Sequence, residues 1–415
     1  MQRILSTELA TTEPGTKVTI AGWIHRRRLL KSVAFLIVRD AAGLSQVVVT
    51  DPATREQLER LTEETVVEVT AVVTANEQAP QGVELASPEI QETSRVAVPL
   101  PFELHRPALS ASLPTQLDHA ALALRHPSRA ASLRISAAVT RGFRRALEEQ
   151  RFVEIHTPKI VESATESGAN VFELDYFGRP AYLAQSPQFF KQMMVGVFER
   201  VFEVGPVFRA EPSDTARHLA QYTSLDAEMG FIRDHRDVMA ALTRTIAGML
   251  GEVAGMIETP GVPDEIPAVH FAEALRIAGA PEDEPDLAPA HERAVGEWAL
   301  REHGSEFVFV TGYPMRKRPF YTHPDPADPA WSNSFDLLFR GLEIVTGGQR
   351  LHRYEDYVAV LGGAGEQGYL DAFRYGMPAH GGWAIGLERF VARLTGAANV
   401  REVTAFPRDL HRVAP

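Results

Sequence analysis

The stretch FEVGPVFRAEPSDTARHLAQYTSLDAEM runs from Phe202 to Met229. It begins as an apolar run, with Phe202, Val204, Val207 and Phe208, broken only by Gly205-Pro206. Arg209 follows directly, then Glu211, and after Arg217 and His218 a second apolar run carries Tyr222, Asp226 and Glu228. The pattern reads as strand, loop, strand. A hairpin with a solvated tip accounts for Glu211, Asp214 and Arg217 near the turn. It does not account for Arg209 immediately behind VGPVF, because a charge in apolar surroundings costs several kcal/mol unless it is paired. A guanidinium fork on a rigid strand suits a phosphate or a carboxylate gripped at two points. From this stretch alone the two readings balance.

Downstream, NSFDLLFRGLEIVTGGQRLHRYEDY (333–357) places Asp336 and Glu343 seven residues apart on strand-like runs. Two carboxylates beside a phosphate site could hold Mg²⁺; each taken alone is more simply a solvated charge. Arg350 comes just after two glycines, where backbone can approach a ligand closely. HGGWAIGLERFVARL (380–394) feeds glycines into a helix with Arg389 in its first turns, a common pattern that can also bind anions.

Upstream, Ile135, Val139, Phe143 and Leu147 recur every four residues among charges, which predicts an amphipathic helix from Ser128. It leads into RFVEIHTPKI, a strand closed by Thr157-Pro158. Lys191 falls in the amphipathic run SPQFFKQMMVGVF, where a lone lysine ordinarily faces solvent. His218 and His352 ordinarily read as satisfied polar residues. Residues 263–300 are acidic and helix-prone, and are expected to be peripheral.

Residues 1–100 differ in character. KVTIAGWIH, VAFLIVRD, LSQVVVTD and TVVEVTAVVT are strand-like, a fifth strand is expected near GVELASPEIQ, and the helix PATREQLERLTEE separates the third from the fourth. That order suits a small Greek-key barrel of the OB type. Four prolines between Val96 and Leu117 mark residues 101–127 as a hinge or linker. The expected architecture is therefore α+β and multidomain: the barrel, the linker, and a domain over 128–415 built on an antiparallel sheet flanked by helices.

The 415 residues exceed what one core accommodates. With 45% hydrophobic and 23% charged residues the composition is that of an ordinary globular protein. No apolar run spans a bilayer and no secretory signal is visible, so a cytoplasmic protein without membrane association is the default. The absence of cysteine excludes disulfides, thiolate nucleophiles and Cys-bound zinc. The net charge of −12 argues against a basic coat, but HRRRLLK (25–31) supplies a local basic patch.

Taken in order, the three constellations resemble a known set. RFVEIHTPKI with its preceding helix is similar to motif 1 of the class II aminoacyl-tRNA synthetases, FEVGPVFRAE…RHLAQYTSLDAEM to motif 2, and GGWAIGLERF to motif 3. The barrel narrows the resemblance to the group for aspartate, asparagine and lysine. QSPQFFKQ (185–192) and GGQRLH (347–352) resemble its aspartyl forms. Only about 150 residues separate Met229 from Gly381. That leaves no room for the large inserted domain of typical bacterial aspartyl enzymes, so the chain looks like the compact archaeal/eukaryotic type. The resemblance covers nearly the whole chain.

It implies an enzyme that activates L-aspartate with ATP and transfers it to tRNA. Arg209 would hold the α-phosphate and the amino acid's carboxylate, and with Arg389, on the γ-phosphate, would do the catalytic work. Glu211 would face the adenine amino group, Tyr222 would stack on the ring, and Arg217 and His218 would lie near the β- and γ-phosphates. Asp336 and Glu343 match the family's Mg²⁺ carboxylates, Glu343 also lying in the ATP site. Lys191 and Arg350 match the residues that grip the aspartate side chain. Ser186, Gln188, Asp226 and Glu166 would surround the α-ammonium. The Glu166 loop, ATESGA, departs from the family in having Ser167 where Gly-Gly is usual, and Glu388 stands where Asp is common.

On the barrel, Phe35 and Gln46, eleven residues apart, match the family's anticodon pair. Strict archaeal members carry a bulky aromatic two residues past the GW of the first strand, and a lysine in the loop before the last strand. Here the corresponding features are His25 and the lysine-free NEQAPQGVEL with Pro80, which lacks a backbone donor. The resemblance thus implies charging of tRNA(Asp) and also tRNA(Asn), with an amidotransferase converting the second product, and a homodimer through motif 1. The alternatives are a strict enzyme charging tRNA(Asp) alone, or a synthetase-like paralogue that forms amides; the barrel speaks against the latter.

Overall fold

The computed structural model describes residues 3–163, 170–362 and 367–414. It divides into two units, Met1–His126 and Pro127–Pro415.

The first unit is a closed barrel of β1 (Lys17–Leu29), β2 (Ala34–Arg39), β3 (Leu44–Val49), β4 (Val66–Ala75) and β5 (Val83–Ser94), in the order β1-β2-β3-β5-β4. The period-two alternation dictates it. In β4, Val67, Val69, Ala71 and Val73 point inward while Glu68 points out. Helix α1 (Pro52–Arg60) lies between β3 and β4, as expected. It starts because the Asp51 carboxylate accepts the Thr54 N–H at 2.8 Å. Its Leu58 is fully buried in the barrel core; truncation to alanine would cost about 2–5 kcal/mol. Of the expected linker, 101–127, residues 101–126 hold two short helices, α2 (Leu113–Asp118) and α3 (Ala120–Ala123), and a small core of Phe102, Leu104 and Ala123. They fall in the same unit as the barrel.

The second unit starts with α4 (Pro127–Glu149), β6 (Val153–Glu154), β7 (Ile160–Val161), β8 (Glu173–Tyr176) and β9 (Arg179–Leu183). Then come α5 (Gln188–Phe198), β10 (Arg200–Phe208), β11 (Gln221–Gly230), α6 (His235–Val253), β12 (Ala268–His270), α7 (Phe271–Ala278) and α8 (Pro289–His303). The chain continues through β13 (Phe307–Thr311), β14 (Ser334–Phe339), β15 (Leu342–Gln349), α9 (Tyr354–Leu361), α10 (Gln367–Arg374), β16 (His380–Gly386) and α11 (Leu387–Thr395). An eight-stranded sheet runs β12-β13-β14-β15-β16-β11-β10-β6. It is antiparallel except at its two outer pairs, β12 with β13 and β10 with β6. The four-residue period of α4 buries Ile135, Val139, Phe143 and Leu147 against the sheet, together with Leu242 and Ile246 of α6 and Phe390 of α11. Those helices cover one face. Strands β7, β9 and β8 form a separate small sheet. Among the described residues no helix is long and apolar enough to cross a membrane.

Candidate active site

The two motif strands are one hairpin, with β10 and β11 paired from Arg200↔Met229 to Phe208↔Gln221. In β11, Leu225, Ala227 and Met229 point into the core. By alternation Tyr222, Ser224, Asp226 and Glu228 share the other face. The next strand, β16, sets Gly386 opposite Ser224, Ala384 opposite Asp226 and Gly382 opposite Glu228, while its Trp383 and Ile385 join the core. Small residues at those three positions leave a trough. Gly382 is required there, because a Cβ would collide with the Glu228 carboxylate. The glycines before Arg350 have a different duty from the one expected of them. A Cβ on Gly347 would lie 2.5 Å from Phe335 Cζ and 2.8 Å from the Gly382 carbonyl, so the neighbouring strands, not a ligand, demand the glycine.

At one end of the trough opens a cleft of about 1000 Å³, lined by Arg209, Glu211, Arg217, His218, Tyr222, Glu343 and Arg389 among others. These are the seven residues expected around ATP. Arg209 leaves the end of β10 with its N–H donating to Ala220 O at 2.9 Å, so the loop is still tied across its base. Its guanidinium lies 5.8 Å from the Tyr222 ring centroid and 3.8 Å from Glu211. Arg389, just inside α11, donates to Glu343 O at 3.2 Å. Burial, and next the charge of Arg389, hold the His218 imidazole below its ordinary pKa.

Further groups shape this cleft, of which the sequence singles out only Glu388. Glu388 accepts the Thr223 N–H at 3.0 Å. Arg401 donates to Asp214 at 2.9 Å, to Thr215 O at 3.0 Å and to Asp409 at 2.6 Å, clamping the motif loop from the C-terminal segment. Glu292 corrects the expectation that 263–300 is peripheral. It is 6% exposed, accepts the Glu343 N–H at 3.0 Å and lies 3.8 Å from Arg217. Burial raises its pKa.

Asp336 and Glu343 share a face for a specific reason. Register shifts between β14 and β15, leaving Ile344 unpaired, so Glu343 and Thr346, three residues apart, both point to the side of Asp336. Thr346 Oγ1 donates to Glu343 at 3.2 Å. Burial pushes the Asp336 carboxyl up to about 6; Arg318, 3.3 Å away, opposes the rise and Glu343 adds to it. Two carboxylates and a hydroxyl are hard oxygen donors. They are too few for an all-protein cage, and no larger His/Asp/Glu group gathers among the described residues. That set fits Mg²⁺, which keeps water and phosphate oxygens in its shell.

At the other end of the trough Lys191 is buried, 1% exposed, rather than facing solvent. It lies 3.0 Å from Asp226 and 3.4 Å from Glu228, and donates to Trp383 O at 3.1 Å. Arg350 Nε donates to Glu228 at 3.0 Å and its Nη2 to Gly382 O at 3.1 Å. Glu228 is the residue that sequence reasoning passed over: fully buried, it positions both cations. Burial alone would raise its pKa, but Arg350 and then Lys191 hold it below the ordinary carboxylate range. Asp226 is engaged by Lys191 and Ser224. Ser186 and Gln188 are buried at the start of α5, and Gln188 Nε2 has no hydrogen-bond partner among the described residues. Beneath them, Gln192 Nε2 contacts Tyr357 Oη at 3.1 Å and His380 Nε2 at 3.0 Å. His352 departs from the satisfied-residue expectation, since its Nδ1 lacks a partner among the described residues. Glu166 lies outside the described residues.

On the barrel, Phe35 and Ile37 of β2 alternate with the core residues Ala34, Leu36 and Val38 and so lie on its outer side, Phe35 half-buried and Ile37 buried, with Ile37 opposite Gln46 of β3 and Arg26 of β1. A bulge between Ile24 and Arg26 turns His25 to the same surface, where it lies 3.2 Å from Arg39. Burial and the Arg39 charge push the His25 pKa down to about 4. Gln46 and Asn76 both donate to Glu84, at 3.2 and 2.9 Å, so the loop that carries Pro80 starts beside Gln46.

A trough with an arginine-lined cleft at one end and two buried cations at the other carries the charge to hold anionic groups at both ends. The comparisons agree. Residues 112–410 match the family of class II tRNA synthetases for D, K and N, and residues 18–93 match the OB-fold nucleic acid binding domain. The chain is 44% identical to the aspartate–tRNA(Asp/Asn) ligase of Thermus thermophilus, over 97% of both chains. It is 42% identical to the enzyme of the same name from Deinococcus radiodurans, over 100% of this chain and 99% of that one. Among solved structures it is similar to the Pyrococcus horikoshii asparaginyl-tRNA synthetase with asparaginyl-adenylate, with TM-score 0.91, 29% identity and full coverage of both. It is also similar to the Entamoeba histolytica aspartyl tRNA synthetase, with TM-score 0.87 and 29% identity over 100% of this chain and 93% of that one. The chain belongs to the class II aminoacyl-tRNA synthetases, in the group for aspartate, lysine and asparagine.

Proposed function

We infer that the protein is an aspartate–tRNA ligase that activates L-aspartate with ATP and charges both tRNA(Asp) and tRNA(Asn). The observation that carries the aspartate reading is the pair of buried cations, Lys191 and Arg350, held on Glu228. A carboxylate side chain satisfies them by charge, whereas the neutral amide of asparagine does not. The substrate's α-carboxylate oxygen attacks the α-phosphorus of ATP. One O–P bond forms, the bond to the β-phosphate breaks, and its electron pair leaves on pyrophosphate. Arg209 stabilises the charge that gathers on the α-phosphate, and Arg389 and Arg217 take the outgoing phosphates. Tyr222 stacks on adenine and Glu211 accepts from its amino group. Gln188, Ser186, Asp226 and Glu166 receive the α-ammonium and its surroundings. Asp336, Glu343 and Thr346 would hold Mg²⁺, which when bound screens phosphate charge. Chain groups otherwise act by position and charge, with no enzyme nucleophile.

Relaxed tRNA choice is supported by the barrel and by the Asp/Asn names of the Thermus and Deinococcus relatives. The two anticodons differ only at their third base. His25 is held neutral against Arg39, and the Pro80 loop offers no lysine there. Phe35 stacks on a base and Gln46 reads an edge. The Asn-bound product would pass to an amidotransferase, and the setting is the cytoplasm, where translation runs. A homodimer is supported by Val153 and Ile160, apolar and exposed on the motif 1 segment, with β6 forming the open edge of the large sheet. The test is aminoacylation of separate transcripts with GUC and GUU anticodons. Comparable charging is expected. A several-hundredfold preference for GUC would make the enzyme strict, as the name of the 38% identical Thermoplasma acidophilum relative, aspartate–tRNA(Asp) ligase, describes that protein.

A further inference from the structure

A second cleft, of about 810 Å³, opens beside the nucleotide cleft and shares Arg217, Arg389 and Val400 with it. Its wall adds Arg293, near the start of α8, and Arg393 of α11. The remaining lining is alanine, glycine, proline, leucine and valine; it contains no aromatic and no acidic side chain. The two arginines shared with the first cleft each face an acid, Arg217 with Glu292 at 3.8 Å and Arg389 with Glu343 at 3.7 Å. Arg293 and Arg393 make no ion pair within 4.0 Å among the described residues. Arg393 donates instead to the carbonyls of Phe339 and Arg340. Burial, and then the charges of Arg340 and Arg293, lower its pKa. Glu292 offsets part of the charge on Arg393, but the far side of this cleft remains a concentration of positive charge with no carboxylate in ion-pair contact with Arg293 or Arg393 among the described residues.

We propose that this cleft is the exit subsite for pyrophosphate. The proposal rests on the aspartate-activation reading, whose chemistry releases that anion at the end of the nucleotide cleft where Arg217 and Arg389 stand. A multiply charged anion moving outward past those two keeps a cationic partner throughout and meets Arg293 and Arg393 next. A cleft lined by one sign of charge focuses the field and draws its counter-ion. The lining explains the choice of ligand: four guanidinium groups grip phosphate oxygens, and no aromatic or carboxylate side chain is there to hold a base, which suits inorganic pyrophosphate better than a nucleoside.

ATP–pyrophosphate exchange by the full chain tests this, with pyrophosphate and ATP varied separately. In Arg293→Gln the KM for pyrophosphate should rise at least fivefold more than the KM for ATP, and in the double variant with Arg393→Gln at least tenfold more. Arg393→Lys keeps the charge but not the carbonyl contacts, and should recover most of the pyrophosphate affinity. Arg301→Gln, exposed farther along the same helix, should move neither constant. Pyrophosphate and ATP constants rising in step would show that these arginines serve bound ATP and would overturn the proposal, as would an unchanged pyrophosphate constant. Aspartate-dependent exchange by the unmodified protein is the control: its absence would overturn the aspartate reading itself, a different result from a failed exit subsite on an active enzyme.

Discussion

Arg350→Leu should separate amino-acid recognition from nucleotide binding. Arg350 is 7% exposed, and its guanidinium reaches Glu228 at 3.0 Å and the Gly382 carbonyl at 3.1 Å. Truncating one partner of a buried, hydrogen-bonded charge pair costs about 2–5 kcal/mol. Part of that loss appears in the fold, because Glu228 is left with Lys191 alone at 3.4 Å. Part appears in binding, because the substrate carboxylate loses a charge-assisted hydrogen bond of about 1.5–3 kcal/mol together with its geometry. A net loss of about 3–4 kcal/mol in transition-state stabilisation is a fall of roughly 10²–10³ in kcat/KM for aspartate. The nucleotide cleft does not include Arg350 among its lining, so the KM for ATP should move by less than about threefold, since distant sites act nearly independently. Pyrophosphate exchange with each substrate varied in turn reads both constants, and a thermal melt reads the fold. Arg350→Lys should fall between, because it keeps the charge without the fork. Equal loss toward ATP and aspartate, or near-normal aspartate activation, would refute the assignment.

Arg209→Ala should lower adenylate formation by at least ~10²–10³ with the melting temperature nearly unchanged, since its loss removes transition-state stabilisation; near-normal exchange would remove Arg209 from the chemistry. Glu292→Gln keeps an acceptor for the Glu343 N–H but drops the charge facing Arg217. It should raise the KM for ATP while leaving that for aspartate in place, and matching shifts in both would show a general loss of structure instead. His380 is wholly buried with its pKa pushed down to about 4 by burial. The unfolded chain takes up that proton near 6.5 and the folded one only near 4, so stability falls as pH drops through that window, by about 3 kcal/mol for this group. Melts across pH 4–7 should show a shallower acid loss in His380→Gln, and an unchanged slope would place the titration elsewhere.

The elements that were legible in the sequence are those whose cause is local. The spacing of Ile135, Val139, Phe143 and Leu147 defined α4, and the apolar runs around Arg209 defined the hairpin, because period and burial are written within one segment. The seven residues expected around ATP were reached through motifs, and they line one cleft. Glu228, Glu292 and Arg401 were not legible as site residues because their roles depend on distant partners. Glu228 meets Arg350 across 122 positions, Glu292 meets Glu343 across 51, and Arg401 meets Asp214 across 187. Lys191 shows the same limit from the other side. Its helix position implied solvent, and only the packing of α5 over Asp226 and Glu228 buries it.

The most direct test of the central claim is amino-acid-dependent ATP–pyrophosphate exchange in the absence of tRNA, run with aspartate, asparagine and lysine. A substrate without an anionic side chain leaves Lys191 and Arg350 short of a partner beyond Glu228, so asparagine should be worse than aspartate by at least ~10³ in kcat/KM and lysine should be excluded by like charge. Exchange driven by asparagine or lysine as well as by aspartate would contradict the assignment of Lys191, Glu228 and Arg350 as the reader of the substrate's carboxylate.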